Sequence, residues 1–188
     1  MNFKYESCKQ AASAGDLDEL KKMHQAGYPW DKWTCANAAR NGHLDCLKYA
    51  HSQGCKWNNF TPYSAAVNGH LDCLKYVCEN GCEWNRWTPE IAAKKGKIEC
   101  FKYCFERWNV PQIFWYNNYD LTKIIDQIDL NDPVWRKLFY IDLTKYPELQ
   151  NKVEKKKKEI EPIKSASKEV LQNILPLDII QYCIHPFI

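Results

Sequence analysis

Seven glycines fix what this chain can fold into. Gly15, Gly42, Gly69 and Gly96 recur every 27 residues, and Gly27, Gly54 and Gly81 keep the same interval. The interval also holds for Trp30, Trp57 and Trp84, for Thr34, Thr61 and Thr88, and for the pairs Ala38-Ala39, Ala65-Ala66 and Ala92-Ala93. Chance does not arrange glycine, tryptophan, threonine and alanine on one period. A fixed period of this length marks a supersecondary unit that is stacked, because a unit so short cannot bury its own apolar side.

Each unit reads as two short helices. In the best-preserved copy, "TPYSAAVNGHLDCLKYVCENGCEW", Thr61 is expected to cap the first helix and Pro62 to occupy its first position, where no N–H is needed. Ala65 and Ala66 keep that helix slim, and Gly69 suits a left-handed residue ending it. A second helix is expected from about His70 to Gly81. Leu71, Leu74, Val77 and Cys78 would be its apolar stripe, and Lys75 and Glu79 a solvent-side pair one turn apart. The fold class that follows is all-α, a solenoid of stacked helix pairs with tight turns, followed by an irregular helical C-terminal segment.

The residues "TPYSAAVNGHLDCLKYVCENG" and "TPEIAAKKGKIECFKY" resemble ankyrin repeats, whose hallmark is T-P-x-x-x-A-A-x-x-G-H, an apolar helix and a closing glycine. The wording "GHLDCLKYA…GC.W" is similar to the short ankyrin repeats encoded by giant DNA viruses of protists. The resemblance covers roughly Tyr5 to Trp108, in four copies. It departs from the family at one point: the usual period is about 33 residues, and six residues between Gly81 and Thr88 leave room only for a tight turn where ordinary ankyrins extend a hairpin.

Positions unchanged between copies (Cys46/Cys73/Cys100, Lys48/Lys75/Lys102, Tyr49/Tyr76/Tyr103) are read as scaffold. Positions that drift are candidates for a partner surface: Lys32, Asn59 and Arg86 in the turns, and Arg40, Val67 and Lys94 at the ends of the first helices. In ankyrin proteins these segments line the concave face. By that analogy they form a binding strip with Trp33, Phe60 and Trp87, aromatic and arginine residues being the stuff of interface hot spots. The other reading of the aromatic row is stacking between successive turns.

The ten cysteines are read as reduced thiols in a cytosolic protein, because the start "MNFKYESCKQ" has no apolar signal core. No apolar run is long enough to span a membrane. Cys78 with Cys82, and Cys100 with Cys104, have a zinc-like spacing. The two pairs come from different copies, and Cys46 and Cys73 occupy an apolar helical register, so neither metal nor cofactor is expected. No cysteine stands out as a nucleophile beside His43 or His70, which are read as hydrogen bonders at the helix start. No phosphate loop appears either, so catalysis is not expected.

After Trp108 the period stops. Residues 109–150 are read as a helical cap whose apolar residues include Phe114, Trp115, Ile124, Ile125, Trp135, Leu138 and Phe139. Residues 151–168 are read as a charged helix or linker. Lys155 to Lys158 invite a nuclear-localisation or nucleic-acid reading, yet seven lysines face five glutamates between Glu148 and Glu169, with no aromatics interleaved. The formal charge of +3, from 26 basic and 23 acidic residues, adds nothing for nucleic acid.

Residues 169–188 are read as an apolar final helix. Its pattern L-P-x-D-I-I-x-x-C-I is similar to the opening helix of an F-box. A truncated F-box-like tail after ankyrin repeats resembles the arrangement in poxvirus host-range proteins. The resemblance implies that Leu175, Pro176, Ile179, Ile180 and Ile184 dock the adaptor of a cullin-type ubiquitin ligase while the repeats select a host protein. Against it stands self-capping of the solenoid by the same helix. The functional expectation is a monomeric, non-catalytic protein-binding adaptor in the host cytoplasm, with a structural or virion-associated scaffold as the alternative.

Overall fold

The computed structural model describes residues 3–107, 121–132, 134–135, 143–144 and 146–159. The chain divides into two compact units, Met1–Ile128 and Asp129–Ile188. The first holds four helix pairs: α1 (Cys8–Ala14) with α2 (Leu17–Gln25), α3 (Lys32–Arg40) with α4 (Leu44–Ser52), α5 (Phe60–Asn68) with α6 (Leu71–Glu79), and α7 (Trp87–Lys94) with α8 (Ile98–Arg107). Among the described residues there is no strand, and the turn from Gly81 to Arg86 is short and irregular.

Successive first helices pack closely, α1 on α3, α3 on α5 and α5 on α7, and the second helices follow in the order α2, α4, α6, α8. The cause is small side chains. Ala11, Ala12, Ala38, Ala39, Ala65, Ala66, Ala92 and Ala93 are fully buried, so backbone meets backbone along the first-helix layer. Behind them, Leu20, Leu47, Leu74 and Phe101 occupy one repeat position and are all buried. Met23, Ala50, Val77 and Cys104 fill the next turn of the same stripe. Cys46, Cys73 and Cys100 are buried too, as their apolar register predicts. Lys75 and Glu79 lie exposed on the opposite side of α6.

The helix starts differ from expectation. Thr61 does not cap α5. The capping residue lies three positions earlier in each copy: Asp31 Oδ1 accepts from Trp33 N–H at 2.9 Å, Asn58 Oδ1 from Phe60 N–H at 3.2 Å and Asn85 Oδ1 from Trp87 N–H at 3.1 Å. Thr34, Thr61 and Thr88 are buried inside the first turn, where their amides donate to the carbonyls of Asp31, Asn58 and Asn85. Thr34 Oγ1 also accepts from Asp31 N–H at 3.4 Å, closing a reciprocal capping box. The Thr61 and Thr88 hydroxyls find no such partner. Pro62 is tolerated because the third amide of a helix still lacks an intrahelical acceptor.

Between pairs, the glycine ending one first helix is covered by the residue starting the next pair's second helix. Gly15 and Gly42 adopt φ of 74° and 76°. A Cβ on Gly15 would stand 2.5 Å from His43 Nδ1, and one on Gly42 2.6 Å from His70 Nδ1. His43 Nε2–H donates back to Ser13 C=O at 3.1 Å. The "GH" dipeptide is thus a contact across the stack as well as a helix start. Lys97 takes the covering place over Gly69, and Lys123 lies over Gly96, so residues 121–128 continue the pattern beyond the last pair. Leu121, Ile124, Ile125 and Ile128 in that segment are buried.

Side-chain amides and thiols add links along the stack. Asn41 Nδ2 donates to Ser13 Oγ at 2.9 Å, and Asn68 Nδ2 to Arg40 C=O at 2.7 Å. Cys55 Sγ lies 3.2 Å from Asp31 C=O, and Cys82 Sγ 3.3 Å from Asn58 C=O. The thiols of the "GC" turns therefore pack as small apolar groups and also reach back as weak donors.

In the second unit residues 147–159 are helical, and Leu149 and Val153 are buried. Leu130, Trp135 and Leu143 are buried as well.

Candidate partner-binding face

Helical spacing gathers the drifting positions onto one side of the first helices. From Trp33, steps of four and seven residues reach Asn37 and Arg40; from Phe60 they reach Ser64 and Val67; from Trp87, Ile91 and Lys94. Lys32, Arg40, Asn59, Arg86 and Lys94 are exposed, and Val67 is half-buried. The two groups read from sequence do not form one narrow strip. They lie at opposite ends of α3, α5 and α7, about 12 Å apart for helices of this length. The half-buried residues Asn37, Tyr63, Ser64 and Ile91 join them and were missed. Only the helix register reveals them, since nothing in their identities stands out.

The aromatic row is both stacked and open. Trp33 and Phe60 rings are 5.8 Å apart at 43°, so neighbouring copies do touch. Even so, Trp33, Phe60 and Trp87 remain 43%, 47% and 48% exposed, among the largest apolar exposures in the described residues. Lys32 Nζ lies 5.7 Å from the Trp33 ring centroid, and the Arg86 guanidinium 5.7 Å from that of Trp87. A cation near a ring face is attracted by the ring quadrupole, by about 0.5–1 kcal/mol at an exposed site, which favours this pairing before any partner arrives. The arrangement offers apolar surface with positive charge alongside, at little ordering cost.

A second recurring constellation lies behind the second helices and went unread in sequence. His24 stacks on Trp30 at 3.7 Å and His51 on Trp57 at 3.6 Å. Each histidine reaches into the next copy: His24 Nδ1 is 3.1 Å from Tyr49 Oη, and His51 Nδ1 is 3.1 Å from Tyr76 Oη. Lys21 and Lys48 lie over the same tyrosine rings at 5.8 Å. In the third copy Cys78 replaces the histidine, and Tyr103 Oη is buried with no partner. Burial pushes the Tyr103 phenol up to about 12. Changing Cys78→His should restore both stack and hydrogen bond. We expect a gain of about 0.5–1.5 kcal/mol, the usual worth of one such bond, read as a higher urea midpoint.

The ladder also sets a pH response. Burial holds the His51 imidazole below its ordinary 6.5. The neutral ring can accept from Tyr76 Oη through Nδ1, whereas the imidazolium can only donate. The unfolded chain thus takes up this proton at a higher pH than the folded one. The contribution is complete above about pH 6.5 and declines as pH falls from there towards the lowered folded value. The unfolding midpoint should be lower at about pH 5 than at about pH 7.5, and His51→Gln should flatten that slope.

Most of the described thiols are arranged for packing, whereas the side-chain hydrogen bond with Cys35 holds Cys55 below the ordinary thiol value. Burial raises Cys46 and Cys73 to about 11, and Cys78 and Cys100 to about 12, which suppresses the thiolate needed for nucleophilic attack or metal ligation. Among the described residues, no three His, Cys, Asp or Glu side chains converge where a metal could be held. Lys156 and Lys157 pair with Glu159 and Glu154 at 3.0 and 3.1 Å, on a solvated helix. The predicted docking residues Leu175, Pro176, Ile179, Ile180 and Ile184 lie outside the described residues, as do Phe114, Trp115, Leu138 and Phe139.

Stacked helix pairs presenting an open first-helix face define a repeat module for protein–protein interaction. Residues 9–88 match the family model for ankyrin repeats, in three copies. Residues 9–88 are therefore ankyrin repeats, and the structure continues them with a fourth pair, α7 and α8, almost wholly beyond the matched span. No curated protein matches the chain. Among the described residues, no helix is long and apolar enough to cross a membrane.

Proposed function

We propose that the chain is a non-catalytic adaptor that holds a partner protein on the face built by α3, α5 and α7. The observation that carries this reading is the row Trp33, Phe60 and Trp87, left about half open while the other large rings among the described residues are more deeply packed. The repeat wording supports a viral adaptor working on a host protein in the host cytoplasm. The F-box-like pattern at Leu175, Pro176, Ile179, Ile180 and Ile184 supports delivery of that protein to a cullin-type ubiquitin ligase.

Affinity purification separates the parts of this reading. Trp33→Ala with Trp87→Ala should lose the bound protein while circular dichroism stays native. Leu175→Lys with Ile179→Lys should keep that protein and lose ligase components. Recovery of no ligase component with the unaltered chain removes the delivery step and favours a structural or virion-associated scaffold. An unfolded tail variant shows that residues 169–188 serve as a cap.

A further inference from the structure

We propose that the segment this face takes is acidic and carries aromatic or aliphatic anchors. The inference rests on the reading of the first-helix face as the partner surface, and it adds the chemistry of the occupant. Two observations point to it independently. The exposed rings supply apolar area, and the charge around them has one dominant sign.

Lys32 and Arg86 flank the aromatic row, and Arg40 and Lys94 stand exposed at the far end of the same helices. Three carboxylates lie in the same turns and first helices, exposed Glu83 among them. Glu90 is half-buried, and the Asp31 carboxylate already accepts from Trp33 N–H. In the first pair Glu6 holds the place of the aromatic rings, and in the third Asn59 and Val67 are uncharged, so the positive character comes from the second and fourth pairs. A segment with apolar side chains against the exposed rings and carboxylates towards both helix ends would match this pattern. Charge of matching sign would also steer it to the face.

A nucleic-acid strand fits less well. First helices stack about 8–10 Å apart, and the two rows of cations lie about 12 Å from one another, so the charges are scattered and do not track a continuous phosphate chain. Lys32 and Arg86 also occupy ring faces on which bases would have to stack.

The test is panning a displayed library of random peptides of about 12 residues, long enough when extended to cross all three rows, against the purified full chain. The proposal expects enrichment of Asp and Glu around an aromatic or leucine anchor, with affinity falling as salt rises. It also expects a loss of about tenfold or more on Arg40→Glu with Lys94→Glu, and likewise on Trp33→Ala with Trp87→Ala. Neutral or basic peptides that still depend on Trp33 and Trp87 would overturn the acidic preference and leave the face standing. Peptides indifferent to those tryptophans, or no enrichment at all, would overturn the face itself and this inference with it. Tighter binding of an oligothymidine strand than of the selected peptides would replace a protein partner with nucleic acid.

Discussion

Gly42→Ala is expected to destabilise the protein by about 2–5 kcal/mol, more than a glycine-to-alanine change at an open position of the chain. Two costs combine. Gly42 sits at φ of 76°, where a side chain costs about 1–2 kcal/mol. The new methyl would also stand 2.6 Å from His70 Nδ1 in the next pair, and overpacking a fixed contact costs about 1–3 kcal/mol. Gly54 is the control. Its φ is 82°, yet a Cβ there meets nothing within 4 Å, so Gly54→Ala should carry the conformational cost alone. Adding His70→Ala to Gly42→Ala should recover the steric share, a coupling that urea unfolding of the four variants measures as a double-mutant cycle.

Leu74→Ala should cost about 2–5 kcal/mol, the range for emptying a buried leucine site. Leu74 is fully buried at the position shared with Leu47 and Phe101, so the cavity opens against both neighbouring pairs. Collapse to fill it is hindered by the alanine-lined contacts of the first helices, which leave no slack. Lys75→Ala next door, on the exposed side of α6, should stay within about 0.5 kcal/mol. If the array unfolds one pair at a time, the Leu74 variant should melt in two steps, because stability in a stacked array is carried by neighbour interfaces.

Much of this architecture was legible before any coordinates, because periodicity writes the stacking directly into the sequence. Gly69 ending α5, Cys73 and Cys100 in the buried stripe, and the short turns all follow from residue type and interval. The helix starts were misassigned because threonine followed by proline imitates a cap. The signal at Asp31, Asn58 and Asn85 was present at the same interval, three residues earlier. His24 and His51 share the interval as well, but their role lies in what they touch across the stack, and spacing within one chain does not name a neighbour's Tyr49 or Tyr76. The candidate face was half legible for a related reason. Drift between copies marks Lys32, Arg40 and Arg86, whereas Asn37, Ser64 and Ile91 join the face only once the helical register is known.

Everything rests on adjacent pairs supplying the buried surface that each lacks. The most direct measurement is the urea midpoint of a chain in which residues 55–81 are duplicated in frame after Gly81. Gly81–Cys82 repeats the junction Gly54–Cys55, so the added pair can stack without altering its neighbours. The account predicts more helical signal and a higher midpoint, since one more interface is buried. An inserted pair that stays unfolded, or that lowers the midpoint, would contradict it.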